Sequence, residues 1–138
     1  MRKIVLFTMI LILCLSDFSF AATVSFSYGL NSYRDPIAPR LRYPINETVI
    51  LAEDSPLEFS WWNDLMNTRG FILKVYEGYN MYGANLILKE ELPQGASSYI
   101  GQRDLFKDGQ VYTWSLVRVS NDGFKSDRSF NSFKIIKK

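Results

Sequence analysis

Histidine is absent from this 138-residue chain, and cysteine occurs once, as Cys14. Those absences remove Ser-His-Asp and Cys-His catalysis, and with them ordinary zinc sites, which draw on the same side chains. Charge of one sign is also scarce: 16 Lys and Arg stand against 14 Asp and Glu, a formal net charge of +2 dispersed along the chain. No basic block argues for nucleic acid or for an anionic membrane surface as partner. No window of residues 22–138 sustains an apolar spacing of three and four, so long amphipathic helices are not expected. What the chain does have is apolar and aromatic surface to bury. Its 47% hydrophobic and 15% aromatic residues place it among folding domains, and at this length one core is the default.

The first segment is set apart from that core. Met1-Arg2-Lys3 is followed by an apolar run over residues 4–15 and then by Ser16-Asp17-Phe18-Ser19-Phe20-Ala21-Ala22. A basic start, an apolar stretch and small residues two apart at Ser19 and Ala21 read as a secretory signal peptide, residues 1–21, with Ala22 the alternative cleavage point. The run would make about 18 Å of helix, short of the roughly 30 Å hydrocarbon core, so no stable membrane insertion is expected. Cys14 follows Leu13, where a lipidation site would have a small residue, so no lipid anchor is expected either. Removing residues 1–21 leaves a secreted or periplasmic chain without cysteine, which must hold together by packing alone.

The rest reads as strands. Leu57-Glu58-Phe59-Ser60-Trp61 alternates with period two, and so do Phe71, Leu73 and Val75 against Ile72, Lys74 and Tyr76. Residues 86–92 turn from apolar to charged and predict an edge strand. Residues 111–120 predict the longest, central strand, with Tyr112, Trp114 and Leu116 on one face. Asn121-Asp122-Gly123 then supplies the positive φ of a tight hairpin, so residues 130–136 should return antiparallel.

Five pieces in order carry a resemblance: Pro39-x-Leu41-x-x-Pro44, Leu57-Glu58-Phe59-Ser60-Trp61, residues 70–76, Asp108-Gly109-Gln110-Val111-Tyr112-Thr113-Trp114, and Gly123-x-x-Ser126-Asp127 before Ser132-Phe133. Together they resemble a fibronectin type III-like domain of bacterial secreted proteins over residues 37–138. The resemblance implies an all-β, seven-stranded antiparallel Greek-key sandwich in which Trp61 is a core residue of the second strand and Tyr112 begins the sixth. Two departures stand out. Lys107-Asp108-Gly109 replaces the usual proline before that tyrosine, and residues 77–85 are long for a connection. No Arg-Gly-Asp is present, so integrin binding does not carry over.

No enzyme is expected. Glu90 and Glu91 are neighbours on a strand and point to opposite faces, which rules out joint action on one glycosidic bond. Asp104, Asp108, Asp122 and Asp127 fall in predicted turns without the spacing of a calcium loop, so no metal is expected. The eight glycines form no phosphate-binding or dinucleotide motif, so no cofactor is expected. Binding to a protein or a glycan remains. Its candidate contacts are Tyr76, Tyr79 and Tyr82 in the long connection, with Trp62 beside them as a lesser one; the alternative is that these rings fold back and cover the end of the sandwich. The arm, residues 22–36, alternates cleanly through Val24, Phe26, Tyr28 and Leu30. It pairs with its own domain as an extra strand, extends into a neighbouring chain to build a self-assembling structural subunit, or stays a disordered leader.

Overall fold

The computed structural model describes residues 36–64 and 66–138. The expected leader, and the arm through residue 35 with Val24, Phe26, Tyr28 and Leu30, lie outside them. Eight strands follow: β1 (Arg40–Tyr43), β2 (Thr48–Leu51), β3 (Leu57–Trp62), β4 (Thr68–Glu77), β5 (Leu86–Pro93), β6 (Ser98–Gly101), β7 (Val111–Ser120) and β8 (Ser129–Lys137). One sheet runs β1-β3-β6 and the other β2-β8-β7-β4-β5.

Alternation builds the core between the sheets. Leu57, Phe59 and Trp61 of β3 are buried, while Glu58 and Trp62 are exposed. From the facing sheet come Phe71, Leu73 and Val75 of β4, Tyr112, Trp114 and Leu116 of β7, and Phe133 and Ile135 of β8. Phe59 sits at the centre, its ring centroid 5.2 Å from that of Trp114 and 5.8 Å from that of Phe133. Aromatic burial of this kind does the work that disulfides do in smaller domains. β5 lies at the edge, paired only with β4, as its turn from apolar to charged predicts.

The expected first strand is divided in two, which makes eight strands of seven. β1 pairs antiparallel with β3, but at Pro44 the chain leaves that sheet, and β2 pairs in parallel with β8 in the other. Pro44 has no amide hydrogen and cannot extend the β1 ladder. Its carbonyl instead accepts from Trp114 Nε1 at 2.8 Å, and the amide of Asn46 donates to Ser132 O at 3.0 Å, docking the chain on β8. One pair of strands is therefore parallel in an otherwise antiparallel sandwich.

Tyr112 holds the corner before β7. Its hydroxyl accepts the Lys107 amide at 2.7 Å, the back-bond of a tyrosine corner, formed here without a proline in the turn. Gly109, at φ 72°, makes the turn, and its amide donates to Ile135 O at 2.9 Å. Tyr112→Phe leaves the Lys107 amide without its acceptor and is expected to cost about 1–2 kcal/mol in urea unfolding. A cost below about 0.5 kcal/mol would show that the corner contributes nothing.

The turn after β7 is tight, as expected, but the hairpin is not. Gly123 has φ 89°, and its amide donates to Ser120 O at 2.9 Å. Beyond it only an isolated bridge, Val119 with Lys125, continues the pairing. β8 begins opposite Leu116, so the last turn of β7 has no β8 partner. Ser126 fills the gap: its amide donates to Arg118 O at 2.9 Å, and its hydroxyl accepts the Arg118 amide at 2.9 Å. The longer connection carries Lys125 and Arg128 alongside the five-stranded sheet.

Candidate functional site

The connection from β4 to β5 is tied down where it leaves the sheet. The Gly78 amide donates to Val111 O at 2.7 Å, and the Thr113 hydroxyl donates to Gly78 O at 2.8 Å. Gly78 takes φ 85°, a conformation glycine adopts without a Cβ penalty, and it turns the chain back across the outer face of β7. Further on, Met81 Sδ lies 3.9 Å from Arg128 Nη1.

That return sorts the tyrosines. Tyr76 lies on the outer face by alternation yet is only 3% exposed, so it is a packed residue and not a contact. Tyr79 and Tyr82, at 73% and 69% exposure, stand open to solvent. Tyr79 forms one wall of a concavity of about 350 Å³ whose other walls include Asn46, Glu47, Thr48, Ser132 and Lys134. The cavity thus combines one open ring with neutral hydrogen-bonding groups and a single charge of each sign. Glu47 also accepts the Ile45 amide at 3.0 Å. Nearby, the Tyr43 phenol has a raised pKa, first through burial and then through the Glu47 and Glu58 carboxylates, and stays neutral at physiological pH.

Trp62 lies on the other sheet, away from the tyrosines. It is 48% exposed, with the Arg40 and Arg42 guanidinium groups 5.6 and 5.3 Å from its ring centroid. Arg40 in turn pairs with Asp64 at 2.6 Å. The Trp62 ring is engaged within its own sheet, which leaves Tyr79 the more available platform. The four candidate contacts do not converge: one is buried, one is on the opposite sheet, and two share the connection. The sequence did not point to Asn46, Ser132 or Lys134 as ligand contacts: Ser132 and Lys134 come beside Tyr79 through the pairing of β8 with β7, and Asn46 through its hydrogen bond to Ser132 O.

Glu90 and Glu91 take opposite sides of β5, as alternation predicts. Glu91 lies on the outer face, whereas Glu90 accepts a hydrogen bond from the Tyr99 hydroxyl at 3.4 Å. Asp108 accepts the Lys137 amide at 2.7 Å, and Asp122 accepts from the Ser120 hydroxyl, a bond that lowers its pKa. Among the described residues no group of three or more carboxylates is placed to hold a metal ion. No helix among them is long and apolar enough to cross a membrane.

No protein-family model matches the sequence, and no curated protein matches it. Solved structures show a likeness. The Clostridium perfringens spore cortex lytic enzyme SleM aligns with a TM-score of 0.50 and 16% identity over 72% of this chain; the chain spans 28% of that protein. Fibronectin(III)-like modules of Clostridium thermocellum CbhA align at 0.49 and 11% identity, over 72% of this chain and 96% of theirs. An Fn3-like protein from Clostridium thermocellum aligns at 0.47 and 16% identity, over 75% and 95%. At such identities the likeness speaks of fold alone. A β1-β3-β6 sheet facing β2-β8-β7-β4-β5, with a corner tyrosine at the start of β7, gives residues 36–138 a fibronectin type III-like β-sandwich fold.

Proposed function

We infer that the protein is a secreted, noncatalytic recognition module and that Tyr79 is its main contact with a carbohydrate ligand. The observation that carries this reading is the open Tyr79 ring over a concavity of about 350 Å³ rimmed by amide, hydroxyl and oppositely charged groups. An aromatic ring offers a rigid apolar surface for the C–H face of a sugar, while Asn46, Thr48 and Ser132 supply hydrogen bonds for hydroxyls. Glu47 and Lys134 balance each other, which favours a neutral ligand. The leader over residues 1–21 supports export, and the want of histidine and cysteine in residues 22–138 supports binding over catalysis.

Affinity gels containing mixed-linkage glucan, xylan or galactomannan test this reading. The protein is expected to be retarded by at least one of them, and Tyr79→Ala to weaken that retention about tenfold, the loss of one stacking contact. Tyr79 is exposed, so the variant should unfold at the same temperature as the parent. Absence of retardation on all three, or unchanged retention by Tyr79→Ala, overturns the assignment.

A further inference from the structure

The outer face of the five-stranded sheet carries a second feature, distinct from the Tyr79 concavity. Lys74, Lys89, Lys125 and Arg128 surround a depression of about 240 Å³ with Ile72 and Val117 among its lining residues. An adjoining depression of about 340 Å³ shares Ile72 and Lys125 and adds Arg69. Glu91 is the one carboxylate in either. Five cations therefore meet one anion on a single face of a chain whose overall charge is near balance.

The arrangement works against the fold taken alone. Lys74 and Lys89 stand directly opposite each other in the β4–β5 ladder, and like charges so placed repel. The ion pairs among the described residues are Arg40 with Asp64 and Lys107 with Glu77, so none of the five cations is neutralised by a carboxylate there. An unneutralised cluster over a concave floor concentrates negative ligands.

The position of the cluster narrows the ligand further. β4 is hydrogen-bonded to β5 on one side and β7 on the other, so the backbone beneath the floor is paired, and a peptide could add as a strand only at the outer edge of β5, beside the depression and not in it. A ligand meets side-chain tips only. Those tips are ammonium and guanidinium groups, the lone Glu91 carboxylate, the Ile72 and Val117 side chains and, across from the buried Ser115 on β8, the 57% exposed ring of Phe130. Carboxylates with hydroxyls and apolar C–H faces, repeated along one chain, match that set. We propose that this face binds an acidic polysaccharide, a polymer of carboxylated sugars, through Lys74, Lys89, Lys125 and Arg128, with Arg69 extending the track.

Polygalacturonate and its methyl ester, the same chain with its carboxylates capped, provide the test. The purified protein is expected to bind polygalacturonate in isothermal titration with an affinity that falls steeply between low and physiological salt. It is expected to bind the ester at least tenfold more weakly. The double variant Lys74→Ala/Lys89→Ala should lose at least tenfold in affinity for polygalacturonate while unfolding no earlier than the parent, because a repulsive pair has been removed. Arg40→Ala/Arg42→Ala removes the same charge from the opposite sheet and should bind as the parent does. Glu91→Gln should bind about two- to threefold more tightly. Equal loss from the two double variants would mean that net charge and not this face is responsible, and overturns the proposal. So does the absence of binding to polygalacturonate, or binding to polyaspartate or to anionic phospholipid vesicles that is as tight as to the acidic glycan.

Discussion

Phe59→Ala is expected to lower the unfolding free energy by about 3–5 kcal/mol, the cost of removing a large ring from a site that cannot collapse. Phe59 is wholly buried, and its neighbours come from elements far apart in sequence: Phe106 before β7 at 6.2 Å, Trp114 on β7 at 5.2 Å and Phe133 on β8 at 5.8 Å. Those neighbours are themselves locked. Trp114 is held by its bond to Pro44 O, and Phe106 meets Tyr112 edge-on at 5.1 Å. None can swing into the space without giving up a contact, so the cavity persists. For a domain with about 5–15 kcal/mol of total stability and no disulfide in residues 22–138, such a loss removes much of the margin. Urea unfolding should show a large fall in midpoint at an unchanged slope. A cost under about 2 kcal/mol would mean that the rings around Phe59 repack freely and that the centre of the core lies elsewhere.

Gly70→Ala should cost about 2–3 kcal/mol, although the change adds a single methyl group. Gly70 lies in β4 with β5 on one side and β7 on the other. A Cβ there would come within 2.4 Å of the Leu92 backbone oxygen. A backbone oxygen in a ladder cannot rotate aside as a side chain does, so β5 must move outward or give up its pairing. β5 is the edge strand, and it yields before β7 does. Amide exchange in Gly70→Ala should therefore quicken in β5 while β7 stays protected, and binding that depends on Lys89 should weaken with it. Gly95 is the control: a Cβ added there meets nothing within 4 Å, so Gly95→Ala should stay within about 0.5 kcal/mol of the parent. Equal effects at the two positions would remove the steric account.

The sequence by itself determined which side chains face inward. Leu57, Phe59 and Trp61, then Phe71, Leu73 and Val75, then Tyr112, Trp114 and Leu116 follow a period of two that is a local property of the extended chain. Each set is buried as that period requires. The edge character of β5 and the tight turn at Gly123 were readable for the same reason, since composition and turn chemistry act over a few residues.

Tertiary structure decided what lies on the outer faces. Alternation places Tyr76 outward, yet it is buried in the folded chain, next to the point where the Gly78 hydrogen bonds tie the connection to β7. Trp62 reads as a free aromatic until the pairing of Arg40 with Trp62 brings two guanidinium groups to its ring. The cations make the point most plainly. Arg69, Lys74, Lys89, Lys125 and Arg128 are spread over 60 positions of a nearly neutral chain, where they read as dispersed charge. Strand pairing opposes Lys74 to Lys89, and the connection after β7 brings Lys125 and Arg128 beside them. Inward orientation follows from the covalent geometry of neighbouring residues, whereas a shared surface depends on register between distant strands, which no local pattern encodes.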